Sequence, residues 1–101
     1  MLMSTMHKIL SKKDIDRKLV TLSGWALNKK GTEIRKEFLF STYIVALSFV
    51  AKVAVHAEVI GHHPEMTLSY GKVGIVLTTK DVKGLTKQDF ALATRIDGLQ
   101  A

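Results

Sequence analysis

Twenty residues from Ser41 to Ile60 pass without a proline, a glycine or any other turn signal, and this run constrains the fold more than any other feature of the chain. Its β-branched residues (Ile44, Val45, Val50, Val53, Val55, Val59, Ile60) suit a strand. An ordinary strand is only about 5–6 residues long, however, so length decides for a helix. Ser41 can cap that helix and Gly61 can end it. On helical spacing Ser48, Lys52 and His56 form a narrow polar line, and nearly everything else is apolar. A helix of this kind is expected to be covered on more than one side, by its own sheet and by a second copy of the chain. Phe38 to Ala51 carries no charge, but Lys52 ends the stretch well short of the roughly 20 apolar residues a bilayer requires, which favours a buried element over a membrane span.

The remaining elements arrange themselves around this helix. Ser11 with Asp14 three residues on is a capping pattern, and Ile15, Leu19, Val20 and Leu22 give an apolar face, predicting a first helix over 12–22 that Gly24 ends. Trp25 to Asn28, the polar turn Lys29-Lys30-Gly31-Thr32 and the alternation around Ile34, Lys36, Phe38 and Phe40 read as a hairpin. Past the lone proline, Pro64, the runs Met66–Tyr70 and Val73–Thr79 flank Gly71-Lys72 as a second hairpin. Thr86 and Asp89 repeat the capping pattern before Phe90, Leu92, Ala93 and Ile96. The expected fold is α+β in the order α-β-β-α-β-β-α, a four-stranded antiparallel sheet with helices packed on one face.

With 101 residues, 47% of them hydrophobic, the chain is expected to form one domain over 1–101, with 1–10 frayed. There is no cysteine, so thiolate chemistry, disulfides and iron–sulfur clusters are excluded. The formal charge of +6 would permit an anionic partner. Its basic pairs alternate with Asp14, Asp16, Glu33 and Glu37, a pattern of solvated faces that makes nucleic acid an unfavoured partner. The N-terminal residues lack an export signal, so a cytoplasmic location is expected.

His62-His63-Pro64, directly after a helix-ending glycine, is the most unusual local feature. Histidine titrates near neutral pH, which suits general acid–base work. Glu58, at i,i+4 from His62, can reach that first imidazole and fix its tautomer. A charge on the otherwise apolar Leu47-Ala51-Ala54 stripe also calls for a partner or a purpose. Surface histidines favoured by the helix dipole are the plainer alternative. A metal held by His56, Glu58, His62 and His63 is a further one, disfavoured because His56 faces away from Glu58 and adjacent histidines rarely converge on one ion.

Taken together, Glu58, three residues, His62-His63-Pro64, five residues, Tyr70, and a capped helix carrying Asp89 resemble the pterin-4a-carbinolamine dehydratase family, over nearly the whole chain. The resemblance implies dehydration of 4a-hydroxytetrahydropterin to quinonoid dihydropterin, without metal or other cofactor, in the recycling of tetrahydrobiopterin. It also implies a homo-oligomer, dimer or tetramer, with a pterin as its small-molecule partner. By the same resemblance His62 and His63 are the acid–base residues. Glu58, Pro64, Tyr70, Thr78, Thr79 and Asp89 support the pocket or bind substrate, with Tyr70 packing at it. One position departs from the pattern: nine residues separate Tyr70 from Lys80, where the family usually has a third histidine or a tryptophan. Lys80 is counted with the catalytic residues as a proton donor that lowers activity, and a solvent-facing strand end is the competing reading. Members of the family also serve as coactivators or assembly factors, which gives a second function class in which activity is weak or absent.

Overall fold

A computed structural model describes residues 8–100. Helix α1 (Lys12–Leu19) is followed by strands β1 (Ala26–Leu27) and β2 (Ile34–Leu39), helix α2 (Tyr43–Ile60), strands β3 (Glu65–Ser69) and β4 (Lys72–Leu77), a 3-10 turn at Lys80–Val82 and helix α3 (Lys87–Gly98). The four strands form one antiparallel sheet in the order β1-β2-β4-β3. The expected class and element order are therefore the observed ones.

Several boundaries move for local reasons. Ser11 caps α1 through the Asp14 N–H as expected. The helix closes three residues early because Thr21 and Leu22 turn back onto Lys18 and Leu19, and the Thr21 hydroxyl takes the Lys18 carbonyl at 2.7 Å. Thr42, not Ser41, caps α2, its Oγ1 accepting from the Val45 N–H at 3.1 Å. Within residues 8–10, part of the segment expected to fray, the Leu10 N–H donates to the Leu85 carbonyl at 2.8 Å. The rest of the expected frayed segment, residues 1–7, lies outside the described residues.

One face of the sheet carries the core. Ile34 and Phe38 of β2 and Val73, Ile75 and Leu77 of β4 are buried against Phe49 and Val53 of α2 and Leu92 and Ile96 of α3. Phe49 touches both Phe38 and Phe40, with ring centroids 4.9 Å apart in each case. At the margin, Asp97 of α3 accepts from Trp25 Nε1 at 3.1 Å and from Lys36 Nζ at 2.9 Å, tying the last helix to β2. The hairpin turn at Gly71 needs a glycine twice over. Its φ is 70°, and a Cβ there would stand 2.9 Å from the Phe40 carbonyl oxygen.

Helix α2 commits only a narrow stripe, Ala46, Phe49, Val53 and Ala57, to this core. Tyr43, Ile44, Val45, Leu47, Val55 and Val59 stay exposed. By length and composition alone α2 would suit a membrane span, yet its spacing of 3 and 4 between buried residues is that of a helix packed on a sheet.

Candidate acid–base site at the end of the second helix

Gly61 decides where the histidines go. It adopts the left-handed conformation (φ 77°), and both its own N–H and that of His62 bond the Ala57 carbonyl, at 2.8 and 3.1 Å. The helix therefore stops one residue before His62, and the two imidazoles leave it in different directions.

His62 turns inward. It is 7% exposed, and its Nε2 lies 2.6 Å from Oδ1 of Asp89, which is wholly buried. Asp89 sits in the first turn of α3, where its Oδ2 accepts the Thr86 backbone N–H at 2.9 Å and completes a capping box. The same oxygen accepts from the Thr79 hydroxyl at 2.7 Å, and Thr79 Oγ1 is 2.8 Å from Thr86 Oγ1. A carboxylate only accepts, so the Thr79 hydrogen is committed to Asp89 and the Thr86 hydroxyl must donate to Thr79. With Asp89 as an ionised carboxylate, the one consistent assignment has Thr86 O–H donating to Thr79, Thr79 O–H to Asp89 and His62 Nε2–H to Asp89.

His63 turns outward. Its Nε2 lies 2.6 Å from Glu58 Oε2, with the side chains 63% and 76% exposed. This corrects the sequence-based assignment of Glu58 to His62. The i,i+4 rule holds only while the chain remains helical, and the left-handed Gly61 breaks it, handing Glu58 to the second imidazole and leaving the first to α3.

Of the other expected site residues, Thr79 and Asp89 are brought together with His62. Pro64 is half-buried and leads from His63 into β3. Lys80 follows Thr79 directly at the start of the 3-10 turn, exposed, and its side chain makes no hydrogen bond or ion pair among the described residues. Two expectations are corrected. Tyr70, 74% exposed, occupies the β3–β4 turn at the far end of β3, about 17 Å along the strand by its rise per residue, and does not pack beside the histidines of its own chain. Thr78 points away from Asp89, because neighbouring strand side chains alternate; its hydroxyl donates to the Thr32 carbonyl at 2.6 Å and staples β4 to the first hairpin.

Sequence reasoning did not reach Thr86 as a member of this set or Asp89 as the partner of His62. The signal available was the capping pattern itself, which places a carboxylate at the start of α3 without revealing which other side chain it meets. His56, on the polar line of α2, lies 3.3 Å from Arg95 and belongs to the packing of α2 on α3. Among the described residues no three His, Asp or Glu side chains converge as metal ligands would. A hollow of about 550 Å³ lined by Arg35, Glu37, Thr67 and Lys72 contains none of the expected site residues.

Two adjacent imidazoles, turned in different directions and each against its own carboxylate, are groups of a kind that can give and take protons. Residues 8–99 match the family model described as Pterin 4 alpha carbinolamine dehydratase, and the chain belongs to that family. A protein of Roseiflexus sp. (strain RS-1), provisionally named pterin-4-alpha-carbinolamine dehydratase, is 46% identical over 88 residues, 87% of this chain and 92% of the relative. A protein of the same provisional name from Roseiflexus castenholzii (strain DSM 13941 / HLO8) is 41% identical over 92 residues, 91% and 97% of the two chains. The crystal structure of a transcriptional coactivator/pterin dehydratase from Brucella Melitensis superposes with a TM-score of 0.88 at 28% identity, covering 93% of this chain and 100% of that one. A pterin dehydratase-like protein identified as a RuBisCO assembly factor in the alpha-carboxysome gives a TM-score of 0.65 at 26% identity, over 76% and 89%.

Proposed function

We propose that this protein dehydrates 4a-hydroxytetrahydropterin to quinonoid dihydropterin, with His62 and His63 as its acid–base pair, in tetrahydrobiopterin recycling in the cytoplasm. The observation that carries the reading is the pair of adjacent histidines, one buried on Asp89 and one open on Glu58. In the reaction the C4a–O bond breaks, its electron pair leaves with the oxygen, and a delivered proton makes the leaving group water. A ring nitrogen releases its proton, and the electron pair so freed forms the new double bond to C4a. One group gives a proton and another takes one, which two imidazoles with separate carboxylate partners are suited to do. Lys80, which follows the ordered Thr79, serves as a donor toward the departing hydroxyl in the place where the family usually has a histidine or a tryptophan, and this substitution lowers the rate. The exposed apolar face of α2 supports assembly into a homo-oligomer along that helix.

Stopped-flow absorbance of 4a-hydroxytetrahydropterin decay tests the reading. Acceleration over buffer is expected, His62→Ala should lower it by about 10²–10⁴-fold, and Lys80→His should raise it. No acceleration at micromolar protein refutes the dehydratase reading. A second reading, a dehydratase-like chain acting chiefly through a protein partner, is favoured by the similarity to a RuBisCO assembly factor and by the residue at position 80. A stoichiometric partner whose binding survives His62→Ala and His63→Ala, with turnover absent, would establish it.

A further inference from the structure

We infer that Thr79 is a positioning residue: its buried hydroxyl, oriented by Thr86, locks the Asp89 carboxylate and through it holds His62 with its hydrogen on Nε2. The inference rests on the reading of His62 as an acid–base group and names how that group is kept ready. Thr79 is 1% exposed and Thr86 2% exposed, so water does not compete for either hydroxyl. Asp89 Oδ2 has two donors, Thr79 Oγ1 at 2.7 Å and the Thr86 N–H at 2.9 Å, which leaves Oδ1 to face His62 at 2.6 Å. A carboxylate fixed at one oxygen by two donors cannot rotate about its own axis without breaking both, and the His62 ring inherits that orientation.

The backbone of Thr79 does not depend on this hydroxyl. Its N–H and carbonyl pair with Gly84 across the 80–83 turn, at 2.9 and 3.3 Å. Thr79→Val therefore keeps the shape and the backbone bridge and removes only the polar atom, whereas Thr79→Ser keeps the polar atom and trims a methyl group. A role confined to packing would make the serine variant the worse of the two. A role in ordering Asp89 makes the valine variant the worse.

The decisive measurement is ¹⁵N and ¹H nuclear magnetic resonance of the His62 ring, which needs no substrate. In the unmodified protein the neutral ring should be the Nε2-protonated tautomer. In Thr79→Val the Nε2 hydrogen should exchange with water about tenfold faster, the equivalent of one lost hydrogen bond, and Thr79→Ser should restore the original exchange. Turnover should follow, with kcat down about tenfold in Thr79→Val and KM changed by less than about twofold. An Nδ1-protonated ring in the unmodified protein overturns the inference even if Thr79→Val does not fold. Unchanged Nε2 exchange in a folded Thr79→Val overturns it as well, whatever the turnover. If the unmodified protein shows no dehydration at all, the proposed function fails, and the resonance data still decide whether Thr79 orders His62.

Discussion

Asp89→Asn separates the structural duty of this side chain from its duty toward His62. Asp89 accepts three hydrogen bonds, from His62 Nε2, Thr79 Oγ1 and the Thr86 N–H. An asparagine has one oxygen and one NH2 to replace two oxygens. Turning the NH2 toward Thr86 would set two donors against each other at 2.9 Å, so the amide oxygen takes the Oδ2 place and the NH2 faces His62. The cap of α3 then survives, since the oxygen still receives the Thr86 N–H. The imidazole must accept at Nε2 and carry its hydrogen on Nδ1, the opposite tautomer. Exchanging charged for neutral hydrogen bonds at this buried position costs about 1–2 kcal/mol, a Tm lowered by roughly 5–15 °C for a domain of this size. The rate should fall far more, by about 10²–10⁴-fold, as for loss of an acid–base group. Thermal unfolding by circular dichroism and stopped-flow turnover at a temperature where the variant is folded measure the two effects. A folded Asp89→Asn protein with unaltered turnover would refute the assignment of His62 to the chemistry.

Among the described residues, a Cβ at Gly61 meets nothing within 4 Å beyond its two chain neighbours, so the cost of Gly61→Ala is that of a left-handed backbone alone. A destabilisation of about 1 kcal/mol and a Tm drop of roughly 4–8 °C are expected, together with reduced turnover as the exit of His62 from α2 is disturbed; a variant as stable as the parent would show that Gly61 is not held in this conformation in solution. Leu47→Glu puts a charge on the exposed face of α2, and sedimentation velocity should report the change from an oligomer to the 11.2 kDa chain. An unmodified protein that already sediments as a monomer would refute assembly through α2.

Much of the fold was legible because its signals are local. Turn glycines at 31, 61 and 71, caps at Ser11 and Thr86, and the length of the 41–60 run all act through atoms within a few residues of each other. The site was legible only as a set of residue types. Glu58 and His63 meet because Gly61 reverses the chain, and a reversal of known kind still leaves open which of two adjacent side chains folds back. His62 and Asp89 are 27 residues apart, joined by the packing of α3 beside α2, and no spacing in the sequence encodes that meeting. Thr78 and Thr79 differ only in which side of the strand end they face, a distinction that depended on where β4 stops pairing with β2.

The double employment of Asp89 has a consequence for telling active members of such a family from inactive ones. Because the carboxylate that faces His62 also starts α3, and Thr86 serves the same helix end, both residues would be retained by selection for a folded chain after the chemistry was lost. Their presence in a relative therefore certifies a helix, not a reaction. Glu58 and His63 carry no such obligation: they are exposed, and among the described residues their side chains bond only each other, so drift at those two positions would cost the fold little. If His62 and His63 act as proposed, the exposed pair, rather than the buried one, is where loss of catalysis would first leave its mark.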